Sequence, residues 1–415
     1  MKILSYFLTS LLIATSLCIN SLSFSIHNNE PLLVVVVMVK NEQDVMEATL
    51  KPFFDAGVQH YLILDTGSTD QTVATTLQLF ETYNIKHGYV REKPFVDFAT
   101  SRNHALEFAE ELFPDAVFFF MIDSEWYTHN VESLLKFCNE HRNDPETIYL
   151  CKLTNNLFAF TNYLNRLFRA STGIRFIGKV HECPNRIATI QIPDAYICYE
   201  PAKKGIEKSR QRWLTDCNIL LKEYEHDPKN PRTLFFLART YEDLENHERA
   251  CFWFEKRCEI IADPTENYIA RYKLACNYEK LNKWQLALES HLKAFSMKPQ
   301  RIEPLIQIAY HYIQTGDYAI AYLFAKHATT ITLPEQEVVL IETIFYNFTC
   351  YKFLAIAAWH VGQYEIGKQA TLQALQFFEN NSASSPVFLQ EQELQRYNLS
   401  LFKAKLAQQS LKGNS

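Results

Sequence analysis

The chain has 415 residues, enough for two or three domains that each bury a core. Hydrophobic residues make up 47% and glycine only 10 positions, which excludes a disordered or collagen-like chain. The net charge of −6 supplies no basic face for a phosphate backbone, so nucleic acid is not expected as a partner.

At the N-terminus, Lys2 precedes an apolar run from Ile3 to Ile19, and Ser21-Leu22-Ser23 follows at signal-cleavage spacing. The run is shorter than the roughly 20 residues of a membrane span. Residues 1–25 therefore read first as a cleaved export signal and second as an uncleaved anchor. A later start codon, with a cytoplasmic protein, is the alternative, because the domain proper begins near Pro31.

From Leu32 to about Tyr199, short apolar runs alternate with helical stretches. Leu32–Val39 is a nearly continuous β-branched run, the pattern of a strand buried on both faces. A helix near Asp44–Ala56, a strand Tyr61–Leu64 and a helix near Asp70–Tyr83 come next. They are followed by a strand around Lys86–Val90, a helix near Ala99–Leu112 and a strand Val117–Ile122. This β-α order predicts a Rossmann-like α/β domain over residues 31–200, a parallel sheet with helices on both faces. Right-handed crossovers bring the strand ends to one edge, where a ligand binds.

Beyond Pro201 the strand signals stop and residues 205–410 read as a repeating all-α region. Leu237-Ala238-x-x-Tyr241, Leu274-Ala275-x-x-Tyr278 and Ile308-Ala309-x-x-Tyr312 align, each followed by an alanine (Ala250, Ala287, Ala321). Pro299 and Pro334 close the second and third units, and a weaker fourth unit (Gly362, Tyr364, Ala374) follows an insertion. Small residues in register let antiparallel helices approach closely. The helix near Glu207–Tyr224 leads in, and Glu391–Gln408 forms a polar-faced cap. The pattern resembles a tetratricopeptide-repeat solenoid. The ten cysteines contain no C-x-x-C pair, so they read as packing residues, Cys183 included, and not as a zinc site or disulfide framework.

Four clusters fall at predicted strand ends or helix starts of the first domain: Lys40-Asn41-Glu42, Asp65–Asp70, Asp97–Asn103 and Asp123-Ser124-Glu125. Singly, each has an ordinary account as a loop, a turn or a helix cap. Together, on one edge of one sheet, they point to a site. Strand–VKNE, strand–DTGSTD, D-F-x-x-x-R-N and an acidic pair after an apolar strand resemble the family-2 glycosyltransferases of the GT-A fold. The segments Arg166–Arg169, Gly173–Glu182 and Asp227–Leu234 are similar to later motifs of members that carry tetratricopeptide repeats.

The resemblance implies an inverting, metal-dependent glycosyltransferase acting on a nucleotide-diphosphate sugar, with a UDP-sugar as the expected donor. Two carboxylates suit Mn²⁺ or Mg²⁺, so Asp123 and Glu125 become the metal pair, with His181 as a further metal or phosphate ligand. Family members usually carry Asp-x-Asp here; Asp-Ser-Glu departs from that and puts the metal mode in question. By the same resemblance Asp65 accepts from the nucleobase imide, Glu42 lies near base or ribose, and Lys40, Asn41 and Arg102 contact the nucleotide. A plain salt bridge to Asp97 is the competing account of Arg102. Glu182 is the expected base, its role exchangeable with that of His181. Trp126 and Tyr127 either stack on a sugar or pack in the core. The acceptor is unknown, with a peptide or protein held by the repeats as one class. The competing whole-chain reading is a non-catalytic repeat adaptor with a degenerate transferase domain.

Overall fold

The computed structural model describes residues 30–155, 160–199, 203–334, 336–380 and 386–413. Residues 1–29, which carry the leader and anchor reading, lie outside the described residues. The expectation of an exported or membrane-anchored chain is corrected: among the described residues no helix is long and apolar enough to cross a membrane.

The first four strands, β1 (Leu33–Val39), β2 (His60–Asp65), β3 (His87–Glu92) and β4 (Phe118–Asp123), follow the sequence reading closely. Between them lie α1 (Met46–Asp55), α2 (Thr72–Thr82) and α3 (Phe98–Leu112). Alternate residues of β1 enter two different cores. Val35, Val37 and Val39 pack with Met46, Leu50 and Phe53 of α1, while Val34 and Val36 pack with Ala105, Leu106 and Ala109 of α3. This two-faced burial is why the run lacks polar alternation.

The expectation of an all-parallel sheet does not hold. After β4 come β5 (Trp126–His129), α4 (Val131–Glu140), β6 (Ile148–Thr154), β7 (Asn162–Arg169), β8 (Phe176–Ile177), β9 (Cys183–Pro184) and β10 (Gln191–Tyr199). The main sheet runs β3-β2-β1-β4-β7-β6-β10-β5. The first four strands are parallel, but β7 is antiparallel to both β4 and β6, and β5 is antiparallel to β10. Only Ser124 and Glu125 separate β4 from β5, yet these strands are four places apart in the sheet. The sheet must therefore curl into a half-barrel that brings its far edge back beside β4. Glu125 makes that turn with φ 65°, a left-handed conformation uncommon for a residue with a side chain.

The helical portion begins with α5 (Lys203–His226) and continues as antiparallel pairs: α6 (Pro231–Asp243) with α7 (His247–Cys258), and α8 (Pro264–Lys280) with α9 (Trp284–Met297). Next come α10 (Glu303–Thr315) with α11 (Tyr318–Ala328) and α12 (Cys350–His360) with α13 (Tyr364–Asn380), closed by α14 (Pro386–Gly413). The recurring alanines sit where the helices touch: Ala238, Ala275, Ala309, Ala250, Ala287 and Ala321 are all 0% exposed. Ala275→Leu is expected to overpack α8 against its neighbours and cost about 1–3 kcal/mol, read as a lower urea midpoint at unchanged slope.

The two portions share an interface. The insertion between α11 and α12 reaches back to the sheet, where Thr161 and Ile341 exchange backbone hydrogen bonds at 2.8 and 3.0 Å. Val180, from the sheet portion, is buried in a cluster with Leu220 of α5 and Leu234 of α6. All nine described cysteines are free, and most are buried, as packing residues should be.

Candidate active site

The strand order reverses between β1 and β4, and a crevice opens at that point beyond the carboxyl ends of the parallel strands. Register puts Met38 of β1 opposite Asp123 of β4, and Val39 opposite Asp65 of β2. A cavity of about 720 Å³ occupies the crevice. Its walls include Lys40, Glu42, Arg102, Asp123 and Glu125, five of the residues expected from the sequence.

The loops after β1 and β2 are laced together. Asn41 accepts from the Thr69 amide at 2.7 Å, and the Glu42 amide donates to Thr72 Oγ1 at 2.8 Å. Asn41 takes φ 59°, so its side chain turns toward the neighbouring loop. Asp65 is 3% exposed, and its carboxylate accepts from the Gly67 and Ser68 amides at 3.2 and 3.0 Å and from the Ser68 hydroxyl. Asn41 and Asp65 thus shape the rim through these loop bonds, while Thr66 forms part of the cavity wall.

The D-F-x-x-x-R-N segment divides its work. Asp97 caps α3, accepting from the Thr100 amide at 2.7 Å and its hydroxyl at 2.9 Å. Asn103 clamps the backbone of Phe176, donating at 2.9 Å and accepting at 2.7 Å. Arg102 does not pair with Asp97. Buried at 3% exposure, it donates from Nη2 to Asp123 at 2.7 Å and from Nε to Glu182 at 2.6 Å. It therefore joins the expected metal carboxylate to the expected base.

A second arginine, Arg166, lies 3.7 Å from the other Asp123 oxygen, with its guanidinium 4.9 Å from the centre of the Trp126 ring. Trp126 packs against this charge while also lining the cavity. Burial alone would raise the Asp123 pKa, but Arg102 and Arg166 outweigh it and hold the carboxyl below its usual range. Burial, then repulsion from Arg102, pulls Arg166 down to about 10. Burial likewise disfavours a charged Arg102, yet its two carboxylates raise its pKa overall.

His181 goes elsewhere. Its ring stacks on Phe236 of α6 with centroids 4.1 Å apart, and its φ is 52°. The residue keeps an open surface, yet the ring sits in the cleft between the two portions. That partial desolvation, then repulsion from Arg239, Arg232 and Arg212, pushes its pKa down to about 4. Among the described residues no three of His, Cys, Asp and Glu gather into a metal-holding group, so His181 does not join Asp123 and Glu125 here. Asp123 and Glu125 remain a pair of hard oxygen donors on the cavity wall, a fit for a divalent cation that arrives with phosphate oxygens.

Sequence reasoning assigned no role to Arg166, and it missed Ser209, Arg212 and Asp216 on α5. Ser209 and Arg212 line the cavity from the helical portion. Asp216, one turn further on, is buried; burial raises its carboxyl, Arg212 opposes the rise and Glu182 adds to it. Spacing along α5 puts the three on one helix face, but nothing local says that this face meets the sheet.

A curled mixed sheet with a carboxylate pair at its switch point, followed by stacked helical pairs, gives a GT-A-type domain joined to a tetratricopeptide-repeat array. Residues 34–162 match the family described as Glycosyl transferase family 2, and residues 231–264 match the tetratricopeptide repeat. The chain is similar to the SPbeta prophage-derived glycosyltransferase SunS of Bacillus subtilis (strain 168), with 26% identity over 241 residues covering 55% of this chain and 54% of that protein. The glycosyltransferase SunS of Bacillus phage SPbeta matches with the same figures. The chain thus spans about half the length of the curated relatives it matches. Among solved structures, MamA aligns at 17% identity and a TM-score of 0.34, covering 44% of this chain and 98% of that one.

Proposed function

We propose that the chain is an inverting glycosyltransferase that moves a sugar from a nucleoside-diphosphate donor, a UDP-sugar, to an acceptor approaching between the domain at 31–200 and the repeats at 205–410. The observation that carries this reading is the convergence of Lys40, Glu42, Arg102, Asp123, Glu125 and Arg212 on one cavity at the β1/β4 switch point.

In this reading the base and ribose lie toward Glu42 and the loop shaped by Asn41 and Asp65. Lys40 and Arg212 face the diphosphate with positive charge. The acceptor nucleophile attacks the anomeric carbon from the side opposite the leaving diphosphate, and its proton passes to the Glu182 carboxylate. Arg102 holds Glu182 in place relative to Asp123 through an ion pair with each. Asp123 and Glu125 would hold Mn²⁺ or Mg²⁺, which neutralises charge on the departing diphosphate. Glutamate in place of the family's second aspartate reaches one methylene further, and the left-handed backbone at Glu125 redirects that reach. The repeats suit a peptide or protein acceptor, since stacked helix pairs form a concave surface.

The test is a thermal-shift panel of UDP-, GDP-, ADP- and dTDP-sugars with and without Mn²⁺. The matching donor at about 100 times its Kd should stabilise the protein by roughly 2.7 kcal/mol, several degrees in Tm. Released nucleoside diphosphate then reports turnover. No shift with any nucleotide sugar would sink the donor assignment.

A further inference from the structure

The segment that carries the expected base is built as much by the repeat array as by the sheet. Asn230 caps α6, accepting from the Arg232 amide at 3.0 Å and the Thr233 amide at 3.2 Å, with Pro231 opening the helix. That cap fixes Arg232 in the first turn, where its Nη2 donates to the His181 carbonyl and its guanidinium lies 4.8 Å from the centre of the Phe236 ring. Phe236, one turn later, stacks on the His181 ring. Val180 is 5% exposed within the array's own apolar cluster. The strain of a left-handed His181 persists only where surroundings over-determine it, and here the array supplies three of the contacts that do so. The next residue, Glu182, is tied through Arg102 to Asp123.

We infer that the array holds the Gly178–Glu182 segment in its working position, and that Arg232 and Phe236 are positioning residues for the transfer reaction although neither lines the donor cavity. The inference rests on the transferase reading above. The array is then part of the active site's construction and not only a module for acceptors. Because the contacts meet Val180 and His181, directly before Glu182, and not the nucleotide pocket, loosening them should slow the chemical step more than it weakens donor binding.

The experiment uses the full chain carrying Arg232→Ala, Arg232→Lys or Phe236→Ala, with Asp123→Ala as reference. Two readouts are taken: hydrogen exchange of peptides covering residues 176–184, and released nucleoside diphosphate over the same sugar panel with Mn²⁺. Arg232→Ala and Phe236→Ala should speed exchange in that segment and lower kcat about tenfold, with donor KM within about twofold, the pattern of a lost transition-state contact. Arg232→Lys, which retains one donor to the carbonyl, should recover part of kcat. Unchanged exchange, an unchanged kcat, or a loss confined to KM would overturn the inference. Turnover that is equal in wild type and Asp123→Ala would instead strike the transferase reading, while the exchange readout still judges the positioning contact.

Discussion

Asp123→Ala is expected to lower nucleotide-sugar turnover by about 10²–10³, the range seen when one preorganised electrostatic contact to a developing charge is removed. The change removes one of two cavity carboxylates that would hold the cation, and it also releases Arg102. At 3% exposure Arg102 keeps Glu182 as an ion-pair partner, but its Nη2 loses its acceptor and Nη1 has none to begin with. Arg166 loses its nearest anion as well. A buried donor without a partner costs about 1–3 kcal/mol, so the variant should also unfold at lower urea. Asp123→Asn separates the two effects: it retains an acceptor for Arg102 and should recover stability, while turnover stays low because the charge is gone. Turnover of Asp123→Ala within about threefold of wild type would exclude this carboxylate from catalysis, since that is well under 1 kcal/mol of transition-state binding.

The parallel half of the sheet was legible because β1, β2 and β4 each make a compact apolar run, and because β1 is buried on both faces. The later strands were not. In β7, Asn162–Arg169, polar and apolar residues mix because Arg166 is drawn inward to Asp123 and Arg169 to the end of α4. There Arg169 donates to the carbonyls of His141 and Arg142 at 2.7 Å. Two inward-reaching arginines mask the alternation that marks a strand.

The site divides in the same way. Lys40, Glu42, Arg102, Asp123 and Glu125 could be found because they follow strands or begin helices on one edge, a property of local sequence and topology. The partner of Arg102 could not. Asp97, five residues before it, was the local choice, and the observed Glu182 lies 80 positions away. Arg212 and His181 depend on how the helical portion docks, and docking leaves no periodicity in either segment. The repeats themselves were plain because close helix packing admits only small residues at fixed intervals.

The insertion after α11 was visible only as a gap in that spacing, and its use leads to the largest expected loss of stability. Glu303→Ala should lower the unfolding free energy by about 3–5 kcal/mol, the cost of removing one partner from a buried ion pair. Glu303 is 0% exposed and Arg301 1%, and Nε of Arg301 donates to both carboxylate oxygens at 3.0 Å. Tyr268 and Tyr346 each donate a hydroxyl to the same carboxylate at 3.2 Å, and the Glu342 amide donates at 3.3 Å. Arg301 in turn donates to the carbonyls of Leu340 and Val339 at 2.6 and 3.3 Å. Alanine leaves Arg301 with Glu337 at 3.5 Å as its remaining ion-pair partner, one already engaged by Lys298. The loosened stretch runs straight into Ile341, whose pairing with Thr161 ties the array to the sheet, so the interface should weaken with it. Replacing both charges, Arg301→Met with Glu303→Leu, removes the desolvated charges together and should recover much of the loss. Urea unfolding of the three proteins decides it: a loss below about 1 kcal/mol for Glu303→Ala would put the pair in the class of exposed ion pairs, contrary to its complete burial.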